Sequence, residues 1–148
     1  MRSKQAIEAA KVERNLAQEA LRAGQREQAW KHLQQVLARL SDHLFDSGSQ
    51  ALFVPASLEY SDLCMTLGRG FDELKKILQR ARTASEELGD RRSRALINLH
   101  LGRILHLSTR SSQAMEAFSE GKKEVEELGD ADIRIEAAEF IGMYYFMQ

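Results

Sequence analysis

One cysteine, one proline and one tryptophan occur in 148 residues. The lone Cys64 excludes an intramolecular disulfide and any paired-cysteine metal knuckle, and it fits a reducing, cytoplasmic setting. Valine and threonine are scarce, and Pro55 is the only proline, whereas Leu, Ala, Glu, Gln and Arg dominate. That alphabet favours helices and argues against sheets. No charge of one sign prevails: the net charge is -1. A polybasic nucleic-acid binder and a solvating acidic tail are both disfavoured. The N-terminus has no apolar signal core, and Glu8 and Glu13 speak against a transit peptide. The longest apolar run, Phe140 to Met147, is too short to span a bilayer.

What is present is periodic. Ala114, Phe118, Gly121, Val125 and Leu128 step by four, three, four and three, one stripe of an amphipathic helix. Leu74, Leu78, Ala81, Ser85 and Leu88 make the same steps forty positions earlier, and Ala29, Leu33, Val36 and Leu40 follow the pattern again. Punctuation recurs too: Glu87-Leu88-Gly89-Asp90 returns as Glu127-Leu128-Gly129-Asp130. Glycine after leucine suits the left-handed residue that closes a helix, and the following aspartate can cap the next one. The spacing predicts seven helices, at roughly 4–23, 26–43, 56–67, 72–88, 91–107, 112–128 and 131–147, with 44–55 as the one long connection. Helix pairs at a period near forty predict an all-α fold, an α-solenoid in a right-handed arc.

These residues resemble the tetratricopeptide repeat. Leu101-Gly102 and Leu105, then Ala114, Phe118 and Gly121, follow its large-small pattern, and Leu16-Ala17 and Ala20, then Ala29, Leu33 and Val36, follow it at the same offsets. The middle copy departs, with Ser61-Asp62 and Met65 where the large-small pair belongs. The resemblance implies one repeat domain over 1–148, with repeats at about 4–43, 55–89 and 91–129 and a half repeat at 131–148. The forty-residue period is similar to the superhelical repeats of large bacterial regulators of the maltose-activator type. That implies a segment of a longer signalling or transcription regulator.

Catalytic and metal patterns are thin. His100 and His106 are six apart on one helix, about 120° around it, and cannot share a metal as an i, i+4 pair could. Arg26 to His32 and Arg94 to His100 resemble the Arg-x-His pairs of all-helical HEPN ribonucleases, at a frequency chance also supplies. Gly68-Arg69-Gly70-Phe71 reads as a turn, not a phosphate loop, and Cys64 as a packing thiol. The basic residues around Lys75-Lys76 and Arg91-Arg92 alternate with acids and read as a solvated face. No cofactor, metal or catalytic residue is implied.

The resemblance puts the binding groove on the first helix of each repeat. Its off-stripe residues are Arg14, Asn15 and Gln18, then Glu59 and Tyr60, then Arg103 and His106, then Glu139 and Met143. The resulting expectation is a non-enzymatic module that grips a protein or peptide, without membrane or nucleic-acid contact. The alternative is a small-ligand sensor repeat domain of a regulatory ATPase, which an enclosed aromatic groove would favour, and the further alternative is a HEPN-like helical ribonuclease. The final helix is apolar nearly all round, and Phe140, Tyr144, Tyr145, Phe146 and Met147 are expected to self-associate in a homodimer.

Overall fold

In the computed structural model, leucine-glycine closes three helices, at Gly68, Gly89 and Gly129, and an aspartate opens three, at Asp46, Asp90 and Asp130. The structure describes residues 2–147. Among them are seven α-helices and no strand: α1 (Arg2–Arg22), α2 (Arg26–Leu40), α3 (Ser47–Leu67), α4 (Phe71–Leu88), α5 (Arg91–Leu107), α6 (Ser111–Leu128) and α7 (Ala131–Met147). Gly89 and Gly129 both take positive φ, at 70° and 63°, as helix-closing residues do. Asp90 accepts a hydrogen bond from the Ser93 amide at 3.0 Å, and Asp130 accepts one from the Asp132 amide at 2.8 Å. The repeated tetrapeptide therefore works as read: it closes one helix and opens the next.

Residues 44–55 correct the sequence reading. They hold no long connection, because α3 starts at Ser47, and α2 ends at Leu40 in a 3-10 turn over Ser41–His43. Asp46 opens α3 by accepting hydrogen bonds from the amides of Gly48 at 2.8 Å and Ser49 at 3.4 Å. Pro55 then lies inside the helix. Its missing N–H frees the carbonyl of Ala51, an exposed residue where water can replace the lost donor. A capped start and a wet carbonyl together let the helix run through a residue that ordinarily ends one.

The chain divides into two compact units, Met1–Leu74 and Lys75–Gln148. In the first, α1 packs on α2 and both touch α3. Ala10, Ala17 and Ala20 of α1 and Ala29, Leu33 and Val36 of α2 are all buried in its core. Small residues on one side allow the two helix axes to come close. In the second, α5 and α6 form the tightest pair, and α7 packs on both. A side chain at Gly102 would strike the Phe118 ring, and one at Gly121 would strike Leu99 and the Ala95 carbonyl. Arg91 and Arg94 meet Glu124. As numbers rise along α5 they fall along α6, so the pair is antiparallel, and its two glycines are where the helices nearly touch.

Candidate functional site

The second unit carries a cleft of about 620 Å³ walled by α4 and α6. Gln79, Arg82 and Glu86 stand on the α4 wall, and Gln113, Glu116 and Glu120 on the α6 wall. Leu101 and Leu105 of α5 close its floor and are themselves buried. A second depression of about 380 Å³ adjoins it, sharing Glu86 and Glu120 and adding Arg94, Asn98 and Lys123. Arg82 Nη1 donates to Asn98 Oδ1 at 3.3 Å on this lining, which holds the guanidinium toward α5.

The carboxylates along this surface fall into two groups. Glu124 is buried and held by three hydrogen bonds, accepting from Arg91 Nε at 3.1 Å, Arg91 Nη2 at 3.0 Å and Arg94 Nη2 at 2.8 Å. The Arg91 hydrogen bonds, helped by Arg94 and opposed by burial, hold its carboxyl below the usual range. That clamp ties α5 to α6 and commits Glu124 to the two arginines. Glu86, Glu116 and Glu120 are exposed, and none of the ion pairs among the described residues involves them. The cleft therefore presents free acceptors to whatever enters it, and its chemistry suits lysine, arginine and backbone N–H donors.

The residues expected to line a groove are partly elsewhere. Arg14 and Glu59 are brought together: Arg14 Nε donates to Glu59 Oε1 at 2.8 Å, joining α1 to α3. Asn15 and Glu139 are exposed, and Gln18, His106 and Met143 are half-buried. Tyr60 and Arg103 require correction. Tyr60 is fully buried, stacked on Trp30 with ring centroids 5.8 Å apart, and burial raises its hydroxyl pKa. Arg103 is buried with its guanidinium 4.8 Å over the Phe140 ring. Both were off the apolar stripe by spacing, yet each found an aromatic partner that took it inside.

The expected self-association surface is also divided. Phe140 is buried beneath His100 and Arg103, so it faces inward and is not part of a free surface. Tyr144 is half-buried, edge-on to Phe118 at 6.5 Å, and Met147 is half-buried. Tyr145 and Phe146 point out, Phe146 with 91% of its surface exposed, and Ile135 joins them on the outside. The Arg-x-His pairs do not converge either. Arg94 is committed to Glu124, and His100 sits against Phe140 and Arg103. His32 Nδ1 is 2.8 Å from Glu13 Oε2, while Arg26 is exposed.

Sequence reasoning missed the cleft walls because it followed the first helix of each pair. Their signal was a second stripe beside the apolar one: Gln79, Arg82 and Glu86 on α4, and Gln113, Glu116 and Glu120 on α6, all at helical spacing. No protein-family model matches the chain, and no curated protein matches it. No helix of the described residues is long and apolar enough to cross a membrane.

Proposed function

We propose that the chain is a non-enzymatic helical-repeat module that binds a protein segment through the α4–α6 cleft. The observation that carries this reading is the cleft itself, with three exposed carboxylates free of ion pairs on its walls. An open polar lining of this kind favours a peptide backbone and cationic side chains over an apolar small molecule. The tetratricopeptide likeness extends the reading to a right-handed solenoid within a cytoplasmic signalling or transcription regulator of bacterial type.

Selection of displayed random peptides against the chain is expected to enrich sequences with lysine or arginine. Titration calorimetry of an enriched peptide should show binding weakened about tenfold or more by Glu116→Lys/Glu120→Lys, as for desolvated charge pairs, with the melting temperature nearly unchanged. Enriched peptides indifferent to that charge reversal would remove the cleft from the function.

The outer face of α7 supports a homodimer as part of the same proposal, because Ile135, Tyr145 and Phe146 form exposed apolar surface on one helix. Sedimentation at tens of micromolar should give a dimer for the native chain and a monomer for Tyr145→Glu/Phe146→Glu. A native monomer at that concentration rules the dimer out.

A further inference from the structure

Trp30 in the first unit is half-buried on α2, and two side chains from elsewhere in the chain cover its indole. Tyr60 stacks on it, with 21° between the ring planes, and the Arg69 guanidinium lies over it at 4.3 Å. The same guanidinium makes an ion pair with Glu27. Glu27 and Trp30 are three apart on α2, so they stand side by side on one helix face. An aromatic face next to a carboxylate is an arrangement that selects a guanidinium, by cation–π attraction and charge-assisted hydrogen bonds together.

The occupant of this arrangement is held on a short tether. Arg69 lies in the turn between α3 and α4, between Gly68 and Gly70, which both take positive φ. Gly70 is packed: a Cβ there would sit 3.3 Å from the Tyr60 hydroxyl and 3.4 Å from Trp30. Gly68 has nothing within 4 Å. The side chains of Arg69 and Glu27 are 42% and 49% exposed, so the guanidinium can swing away while Tyr60 keeps the indole in place.

We propose that Glu27 and Trp30 form a receptor for an arginine side chain of a protein partner, and that Arg69 fills it in the free chain as an internal competitor. Lysine fits it less well, because a compact ammonium lacks the flat face that stacks on indole. A ligand on a short tether acts at an effective concentration in the millimolar range. A free arginine therefore competes poorly, whereas a partner that also grips another surface of the chain can displace Arg69. The site lies in the first unit and does not depend on the cleft of the second.

Trp30 is the only tryptophan, so its emission reports on the site directly. Arg69→Ala, its helix content checked by circular dichroism, is titrated with the acetylated and amidated tripeptide Gly-Arg-Gly. The expected result is a saturable emission change with a midpoint about tenfold or more below that of the native chain, from removal of the tethered competitor. The change should vanish in Glu27→Gln/Arg69→Ala and be weaker with Gly-Lys-Gly. Arg69→Gln provides a second vacant form that keeps a long side chain on the turn. A response in both vacant forms no stronger than the native one, or an equal response to the lysine peptide, overturns the proposal.

Discussion

Replacing Gly102 with valine is expected to cost roughly 3 kcal/mol or more, at the upper end of overpacking penalties. A Cβ at Gly102 would lie 2.5 to 2.7 Å from three atoms of the Phe118 ring. Phe118 is itself fully buried and has no room to withdraw. Valine adds two further methyl groups on a stiff χ1, so rotation gives no escape. At about 2–4 °C per kcal/mol, the melting temperature should fall by roughly 6–12 °C. Gly142 supplies the control, because nothing lies within 4 Å of a Cβ there. Gly142→Ala should stabilise by up to about 1 kcal/mol through helix propensity. Thermal melts of the two variants decide the point: a Gly102→Val protein as stable as the native one would show that α5 and α6 do not cross at this glycine.

Acid is expected to destabilise the protein through one buried ring. His100 lies under Phe140, ring centroids 4.7 Å apart, and its Nδ1 is 3.3 Å from Arg103 Nη2. Arginine can only donate, so Nδ1 must accept, and the ring is neutral with its proton on Nε2. Burial, with Arg103 adding to it, lowers the pKa of His100 to about 3. In the unfolded chain the ring titrates near 6.5. Above that value neither state holds the extra proton and stability is unaffected. Below it the unfolded chain takes a proton that the folded one refuses, so stability falls from about pH 6.5 down toward 3. The slope approaches about 1.4 kcal/mol per pH unit, which amounts to about 2 kcal/mol between pH 7 and pH 5. Ordinary carboxylates titrate mainly below that window. Urea unfolding at the two pH values should therefore show a drop of this size in the native chain and little in His100→Gln. Equal drops in both would mean that His100 is not the proton acceptor.

The parts of the fold legible in the sequence were those that depend on short-range chemistry. Gly89-Asp90 and Gly129-Asp130 announce themselves because a left-handed residue and a side-chain cap are both local events. The α5–α6 pair was legible for a related reason: Gly102 and Gly121 have no role on a helix except to let something approach. Pro55 misled because its usual effect is also local, whereas what rescues it, an Asp46 cap nine residues upstream and an exposed carbonyl, comes from the neighbourhood. Tyr60 and Arg103 misled in another way. Spacing tells which side of a helix a residue occupies, not what waits there, and Trp30 and Phe140 arrive from other helices. Glu27, Trp30 and Arg69 were beyond reach together, because forty-two residues separate the glutamate from the arginine that pairs with it.

The border between the two units, at Leu74 and Lys75, falls inside α4 rather than in a loop. Trp30 and Tyr60 belong to the first unit, and Tyr144 and Tyr145 to the second. Indole emission thus follows the melting of the first unit alone, while ellipticity at 222 nm follows both. Two-state unfolding demands that the curves coincide. Curves that separate would show the two units unfolding in distinct steps.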